Sequence, residues 1–182
     1  MLKKILVALV VIVIVFVVVV AMRPADFRIT RTATIAAPAE VIFQNVNDLH
    51  KWEAWSPWAK LDPSMKQTYE GAAAGVGAIY SWDGNKEVGA GRMTITESRT
   101  NEAIVIKLEF LKPFAAVNDT EFTFKSADAN GNQTVVTWTM SGTNNFMSKA
   151  FCMFMNMDKM VGGDFEKGLA SLKTLTEAAE KN

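Results

Sequence analysis

The side chains of this chain best suited to chemistry are rings. Trp52, Trp55 and Trp58 fall within one short stretch, KWEAWSPWAK, which carries Pro57, three charges and no strand alternation. So much aromatic surface in a loop-like segment either plugs a core or borders a place where an apolar molecule sits. Further large side chains recur at alternate positions of strand-like runs: Tyr80 with Trp82, Phe122 with Phe124, and Trp138 with Met140. Alternation places each pair on one face of its strand. Phe110 belongs to another such run. Near the C-terminus, Phe151 and Met155 stand in a stretch that also holds Met147, Met153, Met157 and Met160. Methionine is flexible and polarizable, and suits an adaptable apolar pocket better than a tightly packed core. The candidate ligand-binding set is therefore Trp52, Trp55, Trp58, Tyr80, Trp82, Phe110, Phe122, Trp138, Met140, Phe151 and Met155. Ordinary core packing is the competing reading for any one of them.

Reactive groups are sparser. Asp83, Glu97, Glu109, Glu121, Asp158 and Asp164 are the candidate acids, and Asp83, Glu97 and Glu109 are the first to inspect for acid–base catalysis. A catalytic carboxylate needs burial and a partner, and linear spacing shows neither. His50 and Cys152 are the only residues of their types. No metal-ligand spacing, nucleophile motif or glycine-rich phosphate loop is present, so no metal or cofactor is expected. Lys plus Arg equals Asp plus Glu at 19 each. With Lys3 and Lys4 in the N-terminal tail, the remainder is slightly acidic and lacks the basic footprint that nucleic acid requires.

Ile5 to Met22 runs 18 residues without a charge. As a helix it is about 27 Å long at ~1.5 Å per residue, close to the ~30 Å hydrocarbon core. It predicts an N-terminal transmembrane anchor over residues 1–24. A cleaved signal peptide is the rival, though the run is long for one. The order of short basic tail, apolar run and domain places the domain on the extracytoplasmic side.

Residues 25–182 predict a single domain. FRITRTATIAA alternates as a strand, and APAEVIFQNVNDL suits a short amphipathic helix. Strand-like runs follow to about Gly142, each broken by turn formers, with Asn130-Gly131 the strongest hairpin signal. The stretch from Asn144 onward predicts one long helix, amphipathic in its second half and interrupted at Gly162-Gly163, where a bend or the close approach of another backbone is expected. A curved antiparallel sheet gripping a terminal helix is the α+β helix-grip fold.

That order, the WEAWSPWAKLDP segment, the GRMTITES strand, LEFLKPF and the NNFMSKA…MNMDKMVGGDFEKGL helix resemble the START-related SRPBCC superfamily, in its bacterial polyketide cyclase/dehydrase-like, membrane-anchored branch. The resemblance spans roughly Asp26 to Ala178. It implies a cavity between sheet and helix that takes lipids, sterols or polyketides, with the tryptophan segment bordering its mouth. Three functions stay open: a membrane-tethered binding domain for an apolar or lipid-like molecule, a cyclase- or dehydratase-type enzyme using the same cavity, and a ligand-free scaffold with a filled interior.

Overall fold

The computed structural model describes residues 1–180. Helix α1, Leu2–Met22, stands almost wholly outside the domain, with Val20 its one buried side chain. It is long and apolar enough to cross a membrane, a test that a signal sequence also passes. Seven strands follow: β1 Asp26–Ile35, β2 Lys66–Gly71, β3 Ala78–Asp83, β4 Ala90–Arg99, β5 Ala103–Lys112, β6 Ala116–Ser126 and β7 Thr134–Thr143. They form one antiparallel sheet in the order β1-β7-β6-β5-β4-β3-β2. Strands β2 to β7 are a meander, and β1 closes onto β7 from Asp26↔Thr143 to Ile35↔Thr134. Helix α2, Ala39–Asn47, and a 3-10 turn, Leu49–Ala54, connect β1 to β2.

The concave face carries the apolar half of each alternation. Ile104 and Ile106 on β5, Phe122 and Phe124 on β6, and Val136, Trp138 and Met140 on β7 are buried. A bulge in β4, where Ile95 faces Ile106 and Glu97 faces Val105, shifts the parity of that strand. Ser98 then turns inward and donates to Asn47 Oδ1 at 2.7 Å, while Glu97 turns out.

The terminal segment departs from the single helix that its sequence predicts. Helix α3, Phe146–Phe151, ends in a turn, and α4 begins anew at Met157 and runs to Ala179. Asparagine causes the restart. Asn145 caps α3 by accepting from Ser148 N–H, and Asn156 caps α4 by accepting from Lys159 N–H, and a side chain that satisfies free N–H groups starts a helix wherever it stands. The glycine pair leaves α4 unbroken. A Cβ on Gly162 would fall 2.1 Å from Arg31 Nη2, whereas one on Gly163 would meet nothing within 4 Å. Gly162 thus admits the Arg31 guanidinium, which clamps β1 to α4: Nε donates to Glu166 Oε1 at 2.6 Å, and Nη1 and Nη2 donate to the Asp158 carboxylate at 3.0 and 3.1 Å. These bonds raise the Arg31 pKa further and hold the Asp158 carboxyl below its usual range.

Candidate functional site

The tryptophan segment has a local reason for its shape. The last carbonyls of a helix lack partners within it. Trp52 Nε1 donates to Val46 O at 2.9 Å and Trp55 Nε1 to Asn45 O at 3.1 Å, so two indoles close the C-terminal end of α2. This fixes both rings under the sheet. Trp52 and Trp55 lie 4.6 Å apart and meet Phe122 and Trp138 edge-on. Trp138 in turn stacks on Phe165 of α4 at 4.1 Å and 7°. A Cβ on Gly168 would fall 2.7 Å from the Trp138 ring. Glycine at that turn of α4 lets the helix settle onto the indole.

Beside this packed block the interior is hollow. A cavity of about 360 Å³ lies between the sheet, the 3-10 turn and the first turns of α4, within the ~300–1,000 Å³ range of small-molecule sites. Trp52, Trp58 and Trp138 form one wall. Tyr69, Tyr80, Trp82, Met93, Leu108 and Phe110 form the other, with Thr120 and Met140 between them. The exposed Glu53, Leu61, Glu87 and Met160 stand at its edge. Tyr80 stacks on Trp82 at 5.9 Å and lies 5.2 Å from Tyr69, making a continuous aromatic wall along β2 and β3.

Seven of the predicted residues therefore come together on the cavity: Trp52, Trp58, Tyr80, Trp82, Phe110, Trp138 and Met140. Four do not. Trp55 and Phe122 are fully buried behind the lining, where each packs edge-on to other rings. Phe151 and Met155 are exposed outside it, in a segment that lies beside α1. Of the methionines in the terminal stretch, Met160 reaches the cavity. Tyr69, Met93 and Leu108 were missed. Alternation held the signal for Leu108, two residues before Phe110, and Tyr69 is the cross-strand partner of Tyr80.

Polar groups in the lining are few. Thr120 Oγ1 and Trp138 Nε1 are buried without a hydrogen-bond partner among the described residues. A buried polar group left unpaired costs about 1–3 kcal/mol. The Tyr80 hydroxyl likewise has no hydrogen bond to another described residue, while the Tyr69 hydroxyl donates to Gln67 at 3.1 Å. Burial, followed by the neighbouring Tyr69 and Glu53, pushes the Tyr80 pKa up to about 12, so its phenol is neutral and able to donate.

The candidate acids are placed elsewhere. Asp83, Glu97, Glu109 and Glu121 sit on the outer face, three of them beside basic partners: Asp83 with Lys112 at 3.1 Å, Glu109 with Lys107 at 2.8 Å, and Glu97 with Arg99. Glu109 faces Val117 and Glu121 faces Val105, so these two glutamates stand apart along the sheet. Asp158 is held by Arg31. Asp164 alone of the six reaches the cavity, paired with Lys167 at 2.9 Å. His50 stacks on Tyr69 at 4.1 Å, with Asp48 on its Nδ1.

A curved sheet closed by a terminal helix over an aromatic hollow defines a class of cavity-bearing domains, and the sequence profile agrees. The chain belongs to the family described as polyketide cyclase / dehydrase and lipid transport, whose profile matches residues 26–177. No curated protein matches it. Among solved structures, one domain of the di-domain aromatase/cyclase StfQ of the steffimycin biosynthetic pathway is similar with a TM-score of 0.64 at 10% identity, covering 87% of this chain and 53% of that one. A protein from Nitrosospira multiformis is similar with a TM-score of 0.60 at 15% identity, covering 86% of this chain and 100% of that one. The Zhui aromatase/cyclase from Streptomyces sp. R1128 gives 0.58 at 14% identity, covering 84% and 94%. At these identities the likeness is one of fold.

Proposed function

We propose that this protein is a membrane-tethered binding domain for an apolar or amphipathic small molecule of lipid-like character. The observation that carries the reading is the cavity of about 360 Å³ walled by aromatic, leucine and methionine side chains. Burying apolar ligand surface there yields about 25 cal/mol per Å². A neutral, unpaired Tyr80 hydroxyl beside that apolar wall favours a ligand with one oxygen function over a pure hydrocarbon. An oxygen that reaches Trp138 Nε1 or Thr120 Oγ1 would also relieve an unpaired buried group. Four of the six acids lie on the outer face, Asp158 is engaged by Arg31, and Asp164, the one acid of the six at the cavity, is paired with Lys167 and has no second candidate acid beside it there, so binding is preferred to cyclase or dehydratase chemistry. Helix α1 serves as the uncleaved anchor, and the domain stands on the extracytoplasmic side.

The test is to isolate the full chain in mild detergent and examine it by native mass spectrometry and solvent extraction. A co-purifying apolar compound in near-stoichiometric amount is expected, together with a raised melting temperature when fatty acids or aromatic polyketide-like compounds are added. No bound compound and no shift across such a panel would overturn the reading. For orientation, a reporter active only in the cytoplasm, fused after Asn182, is expected to be silent.

A further inference from the structure

The sheet register sorts the loops into two ends. Asp26↔Thr143 brings the exit of α1 beside the end of β7, from which α3 departs. Asn118↔Gly142 and Phe110↔Ala116 bring the β5–β6 tip to the same end, and Ala90↔Lys112 adds the β3–β4 turn. The β4–β5 turn around Thr100 lies at the other end, about 30 Å away for ten residues of strand at ~3.3 Å each.

Exposed apolar side chains follow that division. Outside α1, the tip carries Leu111, Phe114 and Val117, and the α3 segment carries Phe146, Met147, Phe151, Phe154 and Met155. Leu61 and Met160 mark the cavity edge, and among the described residues only Val76 lies at the far end. An apolar patch this concentrated marks a binding surface.

Contact with α1 says what covers it. Phe154, 79% exposed, stacks on Phe16 with centroids 6.3 Å apart. Val20 is buried, and Lys149 Nζ donates to Ala21 O at 3.3 Å, taking up a terminal carbonyl of the helix. Phe16 lies within the charge-free run, about 9 Å along the helix from Met22 at ~1.5 Å per residue. If α1 is in lipid, Phe154 is at acyl-chain depth beside it. That matches the ~5–10 Å insertion of an interfacial element.

We propose that residues 146–155 and the 111–117 tip form a second membrane contact lying in the bilayer interface, and that this contact holds the cavity mouth against lipid. Phe110 leads directly into the tip, and Met160 follows the α3 segment by a few residues; both line the cavity. A ligand can then pass between acyl chains and cavity without crossing water. The proposal rests on α1 being a membrane anchor.

The test uses the full chain in phosphatidylethanolamine and phosphatidylglycerol vesicles containing doxyl-labelled lipid. A fluorophore is placed on the native Cys152, and in a second protein on Thr100→Cys in a Cys152→Ser background. Resistance to alkaline carbonate extraction reports the anchor separately. Several-fold stronger lipid quenching at position 152 than at position 100 is expected. Adding Phe114→Asp and Phe154→Asp is expected to bring the Cys152 signal down toward the Thr100→Cys level, with carbonate resistance unchanged. Equal quenching at the two positions in a carbonate-resistant chain would overturn the second contact alone, as would quenching indifferent to the two aspartates. Extraction by carbonate would overturn the anchor and the contact together.

Discussion

Two aromatic regions face each other across the interior, built from similar residues with opposite results. Around Trp52, Trp55, Phe122, Trp138 and Phe165 the rings interlock into a packed block, and Trp52, Trp138 and Phe165 are where that block borders the cavity. Along Tyr69, Tyr80, Trp82 and Phe110 the rings line a hollow. Composition does not separate them. Coverage does: the first group is roofed by the 3-10 turn, which α2 holds through two indole hydrogen bonds, and by α4, which Gly168 lets down onto Trp138. Over the second group α4 has only begun, and its first turns supply no ring to meet the tyrosines. An aromatic strand face becomes core or cavity according to what lies opposite.

The comparison is open to experiment, most sharply at its packed side. Phe122→Ala is expected to cost about 3–5 kcal/mol, read by thermal denaturation of the detergent-solubilised chain. Phe110→Ala on the hollow side is expected to cost about 1 kcal/mol. Equal losses would remove the distinction. Leu108→Trp inserts a ring into the cavity. It should weaken uptake of an apolar ligand by about tenfold or more, at an overpacking cost of at most about 1–3 kcal/mol, and undiminished binding would place the ligand elsewhere. Tyr80→Phe removes one hydroxyl. It is expected to weaken an oxygen-bearing ligand by about two- to tenfold, the worth of a hydrogen bond of about 0.5–1.5 kcal/mol, and to leave a hydrocarbon unaffected. Absorbance titration should place the ionisation of Tyr80 well above the ordinary tyrosine value of about 10.

The smallest effects concern the clamp that sets α4 over the sheet. Gly163→Ala should stabilise by up to about 1 kcal/mol from helix propensity. Gly162→Ala displaces Arg31 and should melt below the parent despite the same propensity gain. Because Arg31 depresses the Asp158 pKa, the clamp contributes above the ordinary aspartate value of about 4 and fades as pH falls through the lower folded value. Melting curves of parent and Gly162→Ala should therefore converge in acid.

Much of the architecture was legible in the chain. Strand-like runs matching β1 to β7 carried the sheet, and the faces that alternation assigned to Tyr80, Trp82, Trp138 and Met140 are those that reach the cavity. The terminal stretch was harder. Its methionines and phenylalanines predict a helix packed against the sheet, yet Asn156 restarts the helix and leaves Phe151 and Met155 outside. The anchoring of the α4 start by Arg31 was not visible either, because Arg31 and Asp158 are 127 positions apart.

By itself the sequence determined the elements: the span of the apolar helix, the strands, the amphipathic end of α4 and the side of each strand that is apolar. These follow from periodicities of two and 3.6, which are local properties of the backbone. Only the tertiary structure decided which apolar surface is packed and which is left open. Filling a volume depends on the side chains that arrive from opposite, and here they come from elements far away along the chain.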